Sequence, residues 1–406
     1  MTGIAAAVVL ATIVVRAGSS VASLGAALAI ARPGDTILVE SGHYREPPLV
    51  VDKPLVIRGR GRPIIEGAGN HIILRVTADS VTIEGLVIRR VDPSNVEERA
   101  GIRLDSVRAC SIRDNEFQET FFGIYGSAIS DCRISGNRVT GPGRSDQESG
   151  NAIHLWSSRN VTVERNQVEG YRDGIYLEFV TASHLSENRS RGNRRYGLHF
   201  MFSDSCRYER NVFTSNGAGV AVMYAKQVAM IDNRFERNRG QAAFGLLLKD
   251  ITDSRVEGNE FDANTVAFYL DGASRVTAVG NRFTSNGWAV RVLASSQDNR
   301  FEGNTFIGNA FDVATNSRHS TNEFRQNYWD RYRGYDLDRD GFGDAPFRPV
   351  RLFSLVIEQN EPSLVLLRSP FVDLLDAAER LLPILTPETL VDKRPLLRPP
   401  TKGPSS

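Results

Sequence analysis

An asparagine recurs ten times through the middle of the chain, and this repeat constrains the fold more strongly than any other sequence feature. Successive asparagines are 22 or 23 residues apart, except for two intervals of 29 and 26 residues. The column consists of Asn115, Asn137, Asn166, Asn188, Asn211, Asn233, Asn259, Asn281, Asn304 and Asn327. Repeats of this length build one structural unit each, so the pattern predicts a solenoid with one coil per repeat.

Short strands are expected within each repeat. A motif such as Gly174-Ile-Tyr-Leu177 precedes each asparagine by about half a repeat. An apolar or aromatic residue usually stands two positions after the asparagine. Alternating apolar and polar residues, bounded by Gly, Asn and Ser, are typical of β-strands. We therefore predict an all-β, right-handed parallel β-helix over residues 51–330, with the asparagines in a hydrogen-bonded ladder. Loops are expected at 141–150 and 240–244, where the intervals lengthen.

The N-terminal 50 residues differ from the repeats in composition. Residues 1–11 are apolar, too short to span a bilayer and without a basic residue. We assign them to a truncated signal peptide, with a buried first strand as the alternative. Residues 12–50 are predicted to form an N-terminal cap and the first coils, including a short apolar helix between 21 and 31.

The C-terminal region lacks the repeat and is rich in proline. Residues 331–368 are predicted to form an extension that carries an Asp-rich loop. Residues 369–406 are assigned to an amphipathic docking helix over 369–382 and a flexible tail. The apolar residues of this helix that we expect to bind a partner are Phe371, Leu374, Leu375, Leu381 and Leu382.

Charge and cysteine content narrow the possible functions. The chain has 49 Lys and Arg against 48 Asp and Glu, a net charge of +1 that gives no general electrostatic reason to bind nucleic acid. Three cysteines do not make a disulfide framework. Cys110 and Cys132 are expected on adjacent coils, where they either form a disulfide or remain buried free thiols.

The side chains expected on the outer surface include an unusual group. In the Gly-Ile-x-Leu strand the Ile and Leu point inward, so x and the residue two positions after it point outward. This register places His199, Met201 and Met223 close together on one face, with Glu178 beside them and His154 two coils away. Apart from the initiator the chain has three methionines, and two of them fall here.

Thioether and imidazole ligands together favour Cu(I) among the biological metals. We therefore predict a copper site that includes His154, Glu178, His199, Met201 and Met223. Two alternatives stay open: the methionine and aromatic side chains form a protein-docking surface, to which Trp156 would belong, or they only cover an apolar patch.

A second candidate metal site lies after the repeats. Asp336, Asp338, Asp340 and Asp344 occupy positions 1, 3, 5 and 9 of a loop that resembles the start of an EF-hand calcium loop. The bidentate Glu expected at position 12 is Phe347 here. The segment is read either as a calcium-binding cap or as a solvated acidic turn.

Two C-terminal segments resemble the NosD family of periplasmic proteins for nitrous oxide reductase maturation. They are residues 335–353, which begin Tyr-Asp-Leu-Asp-Arg-Asp-Gly-Phe-Gly-Asp, and residues 368–390, which run from Arg-Ser-Pro-Phe to Leu-Thr-Pro-Glu-Thr-Leu. The resemblance implies a periplasmic protein held at the inner membrane by the membrane subunit and ATPase of an ABC-type transporter. It also implies a role in assembling the copper–sulfur centre of nitrous oxide reductase, with a copper chaperone lipoprotein as a further partner and with copper or sulfur as the cargo.

The competing interpretation is a carbohydrate-binding or carbohydrate-active β-helix. Such enzymes need acidic residues close together on one face. The outward acids Asp105, Glu178 and Asp271 are expected several coils apart, so we predict that the chain is not an enzyme. Outward aromatic residues such as Tyr125 and Tyr176 leave sugar binding open.

Overall fold

The computed structural model describes residues 11–94, 96–141, 149–240, 243–317, 319–351, 353, 374–375 and 390–400. They form two compact units that divide between Asn188 and Arg189. The predicted signal peptide therefore lies outside the described residues, except for residue 11.

The first unit contains one helix and twenty strands, all of them short. The helix α1 spans Leu24–Ile30. The strands are β1 Thr12–Val15, β2 Thr36–Val39, β3 His43–Arg45, β4 Leu49–Val51, β5 Val56–Gly59, β6 Ile64–Gly69, β7 Leu74–Val76, β8 Thr82–Glu84, β9 Val87–Val91, β10 Ala100–Asp105, β11 Ser111–Arg113, β12 Glu116–Thr120, β13 Phe122–Ser127, β14 Arg133–Ser135, β15 Arg138–Thr140, β16 Asn151–Trp156, β17 Thr162–Glu164, β18 Gln167–Glu169, β19 Asp173–Glu178 and β20 His184–Ser186.

The second unit continues the same pattern of short strands. They are β21 Arg189–Arg191, β22 Tyr196–Met201, β23 Arg207–Glu209, β24 Val212–Thr214, β25 Ala218–Met223, β26 Ala229–Ile231, β27 Arg234–Glu236, β28 Phe244–Lys249, β29 Arg255–Glu257, β30 Glu260–Asp262, β31 Val266–Asp271, β32 Thr277–Val279, β33 Arg282–Thr284, β34 Trp288–Val292, β35 Arg300–Glu302, β36 Thr305–Ile307, β37 Phe311–Thr315, β38 Glu323–Arg325 and β39 Tyr328–Trp329.

Three parallel sheets run along each unit, because every coil contributes one strand to each sheet. In the first unit, sheet A contains β1, β2, β5 and every third strand to β20, sheet B runs from β3 to β18, and sheet C runs from β4 to β19. In the second unit the corresponding sheets run from β23 to β38, β21 to β39 and β22 to β37. The predicted all-β parallel β-solenoid is therefore confirmed in both units.

The core consists of inward apolar side chains that stack from coil to coil. The Ile and Leu positions of the Gly-Ile-x-Leu strands are buried, as the predicted register requires. In the second unit, adjacent rings of one aromatic column have centroids 4.1 to 5.5 Å apart and planes within 24° of parallel. The column is Phe213, Phe235, Phe261, Phe283, Phe306 and Trp329.

The predicted asparagine ladder is present in both units. Within each unit, every asparagine of the ladder except the last donates its backbone N–H and its side-chain Nδ2 to the Oδ1 of the next, at 2.8 to 3.2 Å. A second ladder in the second unit was not predicted. It consists of Asn193, Asn216, Asn238, Asn264, Asn286 and Asn309. The regular spacing of these six asparagines is visible in the sequence and would have predicted the second ladder.

The predicted N-terminal helix is confirmed as α1, which packs against β1, β2 and β4. Ser23 caps it by accepting a hydrogen bond from the Ala26 N–H at 3.1 Å. The Glu46 carboxylate accepts from the Leu24 N–H at 2.6 Å. Within the described residues, no helix has both the length and the apolar character that crossing a bilayer requires.

The prediction of a flexible C-terminal tail is wrong for residues 390–400. Asp392 is buried and accepts hydrogen bonds from the Asn327 N–H at 2.8 Å, the Asn327 Nδ2 at 3.1 Å and the Trp329 Nε1 at 3.1 Å. This carboxylate satisfies donors that the last rung of the ladder would otherwise leave unpaired. The segment is therefore a cap, although its proline content and charge suggest a mobile chain.

Candidate copper-binding face

Met201 and Met223 occupy directly paired positions on two neighbouring strands of sheet C in the second unit. Strand β22 pairs with β25 so that Met201 faces Met223 and His199 faces Ala221. Leu198 is buried on the inner side, whereas both methionines are only partly buried. The predicted register of this strand is therefore correct, and the two thioethers lie on the outer face.

We call His199, Met201 and Met223 the methionine face. Neighbouring strands are about 4.8 Å apart, and alternate residues of one strand about 6.7 Å. His199 has only 5% of its surface exposed, and the centroid of its ring is 4.6 Å from that of Tyr196. The two methionines are thus accessible, while the imidazole beside them is covered.

Two aromatic residues that the sequence analysis missed adjoin the methionine face. Phe202 and Tyr224 immediately follow the two methionines, and their rings stack with centroids 5.1 Å apart and planes 16° from parallel. Both are exposed and have positive φ values, 49° and 54°. The equivalent turn positions on the next two coils hold Asp250 and Gly272. The left-handed conformation thus recurs at this turn from coil to coil, and what distinguishes Phe202 and Tyr224 is their two stacked, exposed rings.

The next coil brings charge to the edge of the methionine face. Lys249 on β28 pairs with Met223, and Asp271 on β31 pairs with Lys249. An ammonium group beside Met223 disfavours a doubly charged hard cation more than a singly charged soft one. Any metal affinity at this face therefore depends on soft ligands.

The other residues of the predicted copper site lie in the first unit. His154 packs between Tyr125 and Tyr176, with ring centroids at 4.8 and 4.6 Å, and its Nδ1 is 3.1 Å from the Asn151 Nδ2. Trp156 is exposed and pairs with Glu178 on the next strand. The predicted set is thus divided between the units, and only His199, Met201 and Met223 form a group within one of them.

Burial raises the pKa of the tyrosines around His154. The pKa of Tyr125 rises to about 12, mainly through burial and secondarily through the charge of Glu98. The pKa of Tyr176 also rises to about 12, through burial and the charge of Glu178. Both phenols are neutral at physiological pH, so this cluster is an aromatic lining around one histidine.

The outward acids do not form a catalytic pair in the first unit. Asp105 is held by two arginines, at 2.7 Å from the Arg75 Nε and 2.8 Å from the Arg103 Nε. In the strand register, Ser127 and Trp156 separate Asp105 from Glu178. Three strand spacings amount to about 14 Å, more than either glycosidase mechanism uses.

The Asp-rich loop brings three of its four predicted calcium ligands together. One oxygen each of Asp336, Asp338 and Asp340 lies within 4.8 Å of the others. Asp344 is outside this group, and its carboxylate accepts from the Leu337 N–H at 2.7 Å. Asp340 also forms an ion pair with Arg394. Calcium binding stays a prediction, and this ion pair opposes it.

Part of the predicted docking helix lies within the described residues. Leu374 and Leu375 are helical; Leu374 is 66% exposed, and Leu375 packs against Phe311 and Phe353. Phe371, Leu381 and Leu382 fall outside the described residues. One leucine thus attaches the segment to the second unit, while its neighbour points away from it.

Comparison with solved structures agrees with this architecture. The chain is similar to the family 28 exopolygalacturonase of Yersinia enterocolitica, with a TM-score of 0.56 and 12% identity over 73% of each chain. It is also similar to a mannuronan C-5 epimerase A-module of Azotobacter vinelandii, with a TM-score of 0.54 and 15% identity over 74% of this chain and 86% of that one. At such identities the likeness concerns the fold alone.

Sequence comparison is more specific. The family described as "Periplasmic copper-binding protein (NosD)" matches residues 141–334, which include the methionine face. Proteins named "Probable ABC transporter binding protein NosD" match from Pseudomonas aeruginosa, at 28% identity over 87% of this chain and 86% of that protein, and from Stutzerimonas stutzeri, at 26% over 87% and 84%. These matches confirm the resemblance drawn from the C-terminal motifs: the chain is similar to NosD proteins over most of its length.

Proposed function

We propose that this chain is a periplasmic accessory protein that receives Cu(I) at the methionine face and passes it on during maturation of nitrous oxide reductase. The paired thioethers of Met201 and Met223, with His199 on the same face, carry the proposal. The family's description as copper-binding and periplasmic supports it.

The ligand chemistry suits a metal that is handed on. Thioether sulfur and neutral imidazole are soft or intermediate ligands, which favour Cu(I) over the hard cations. None of the three carries a negative charge, so they attract the ion less strongly than thiolates would. Copper is here the cargo of the protein, and moderate affinity lets the next protein take it.

Copper fits the described residues better than sulfur as the cargo. A protein that carries sulfur as a persulfide needs an accessible cysteine thiol. Cys110, Cys132 and Cys206 are each 1 to 2% exposed. The accessible sulfur atoms of the methionine face are thioethers, which bind metal and cannot form a persulfide.

The proposed partners follow from the family and from the exposed apolar residues. The two relatives are named as probable ABC transporter binding proteins. We therefore propose that this chain binds an ABC-type transporter made of a membrane subunit and an ATPase. Leu374 would contact the membrane subunit and so keep the protein at the inner membrane. Phe202, Tyr224 and Trp156 would contact the proteins that exchange copper, a copper chaperone lipoprotein and nitrous oxide reductase.

Titration with Cu(I) against a chromophoric chelator tests the proposed site. We expect a Met201→Leu/Met223→Leu double variant to bind Cu(I) more than about 100-fold more weakly, since even changes outside the ligand shell cost 10- to 100-fold. Leucine keeps the apolar volume, so the fold is preserved.

Met230→Leu is the matched control, because Met230 is fully buried in the core. It should retain the affinity of the unchanged chain. Equal affinities for the double variant and the unchanged chain would show that copper binds elsewhere. Absence of tight binding in all three proteins would leave a protein-binding scaffold as the better interpretation.

A point substitution tests transporter binding better than a truncation. Removing everything after residue 368 would also remove Asp392 and its capping hydrogen bonds. We expect Leu374→Asp to abolish co-purification with the membrane subunit without changing thermal stability. Lys393→Ala, at another exposed C-terminal position, should leave it intact. Undiminished binding by Leu374→Asp would refute this contact.

A further inference from the structure

Cys110 and Cys132 occupy the same position in two adjacent coils of the first unit. Arg108 pairs with Ser130 on one side of them, and β11 pairs with β14 through Ser111 and Arg133 on the other. The two cysteine Cα atoms are therefore one coil spacing apart, about 4.8 Å. Disulfides join residues whose Cα atoms are about 4.4 to 6.8 Å apart, so the backbone already has the required separation.

The Cys132 sulfur atom also contacts the backbone of Cys110. The Cys110 N–H donates to the Cys132 Sγ at 3.3 Å. A hydrogen bond between the two thiols lowers the pKa of Cys110, and the same bond raises the pKa of Cys132. Cys110 is therefore the more easily deprotonated thiol of the two, and the thiolate is the form that attacks a disulfide.

We infer that Cys110 and Cys132 form a disulfide that links two adjacent coils when the chain folds in an oxidising compartment. This inference rests on the proposed periplasmic location, since disulfides persist there and are rare in the cytosol. The oxidant is a disulfide, either that of a thiol–disulfide oxidoreductase or oxidised glutathione.

The exchange proceeds in two balanced steps. The Cys110 thiolate attacks one sulfur of the oxidant, breaks its S–S bond and releases one thiol. Cys132 then loses its proton, attacks the Cys110 sulfur of the mixed disulfide and releases the second thiol. Two electrons and two protons pass to the oxidant. Because both thiols are 2% exposed once folded, this exchange precedes completion of the unit.

Cys206 provides an internal comparison. It is equally buried in the second unit, but Val228 takes the equivalent position on the following coil. Its thiol donates to the Asp204 carbonyl oxygen at 3.4 Å. Cys206 is therefore expected to stay a free thiol under conditions that oxidise the other two.

Thiol counting by mass spectrometry tests the inference. The full chain is reduced, unfolded and refolded with oxidised and reduced glutathione, then unfolded without reductant and alkylated. We expect one alkyl group, on Cys206, and a cross-linked peptide pair containing Cys110 and Cys132. Cys206→Ser should take up no alkyl group. Cys132→Ser should lose the cross-link and leave Cys110 free or joined to glutathione.

Three alkylated thiols in the refolded chain, or a link that involves Cys206, would overturn the inference. Urea unfolding adds a second measurement: the midpoint should fall on reduction for the unchanged chain and stay constant for Cys132→Ser. Neither thiol counting nor urea unfolding depends on copper, so a failure of copper binding would leave the disulfide inference standing.

Discussion

Asp312 carries a carboxyl group at a position where the preceding coils hold only glycine or alanine. In the strand register it follows Gly245, Ala267 and Ala289. Only 3% of its surface is exposed, and the last asparagine of the second ladder, Asn309, donates to its Oδ1 at 3.4 Å. Burial raises the pKa of Asp312 to about 6, although the nearby Arg331 lowers it.

We predict that Asp312→Asn stabilises the chain in a pH-dependent way. The pKa of Asp312 in the folded chain lies above the ordinary value of 3.8, so folding favours the protonated carboxyl. The stability that this protonated group contributes is complete below pH 3.8 and is lost as pH rises through 6. At pH 7.5 the variant should gain up to about 3 kcal/mol, at 1.36 kcal/mol per pKa unit, and near pH 3.5 almost nothing. Urea unfolding at both pH values measures this. The exposed control Asp52→Asn should change little, and a pH-independent gain would contradict the prediction.

At the scale of elements, strands of only two to six residues persist because most of them are hydrogen-bonded to a neighbouring strand on both sides. The ladders add side-chain hydrogen bonds at the turns, where strand pairing stops. Asn259 shows the arrangement: its Nδ2 donates to the Met230 carbonyl oxygen at 2.8 Å and to the Asn281 Oδ1 at 3.0 Å. Its Oδ1 accepts from Asn233 at 2.8 and 3.0 Å.

Asn259→Ala should therefore be strongly destabilising. It removes these bonds and leaves buried backbone donors and acceptors without partners, at about 1 to 3 kcal/mol for each such group. We expect a loss of at least about 3 kcal/mol in urea unfolding, with faster amide exchange in the flanking coils. Asn70→Ala, at an exposed site, is the matched control. Comparable stabilities of the two variants would mean that the ladder contributes little.

At the scale of the whole molecule, the end of a solenoid exposes a strand edge and unpaired ladder groups. Residues 390–400 cover this end in the second unit. Asp392 bridges to Phe324 and Phe347, and Leu396 bridges to Tyr328 and Phe342. The C-terminal segment thus closes an edge that could otherwise pair with another molecule.

We predict that Asp392→Ala opens this end of the second unit. Besides Asn327 and Trp329, the carboxylate accepts from the Gln326 N–H at 3.1 Å, so several buried donors lose their acceptor together. A loss of about 3 to 5 kcal/mol is expected. Size-exclusion chromatography should show association through the exposed edge, which the control Lys393→Ala should not. A monomeric variant of unchanged stability would disprove the capping role.

Local sequence properties were enough to predict most of the fold and part of the site. The spacing of the asparagines and the two-residue alternation of motifs such as Gly197-Leu-His-Phe recur from coil to coil after residue 100, so neighbouring coils support the same register. That register places Met201 and Met223 on one outer face, as the structure confirms.

The chain by itself therefore determined the β-solenoid, the ladder and the methionine pair, because these depend on patterns that recur within one or two coils. Only the tertiary structure decided how deeply His199 is buried and that Asp392 caps the last rung. These outcomes depend on which segments meet in space. The Asp392 carboxylate accepts hydrogen bonds from residues 63 to 66 positions earlier in the chain, and no periodicity indicates such a contact.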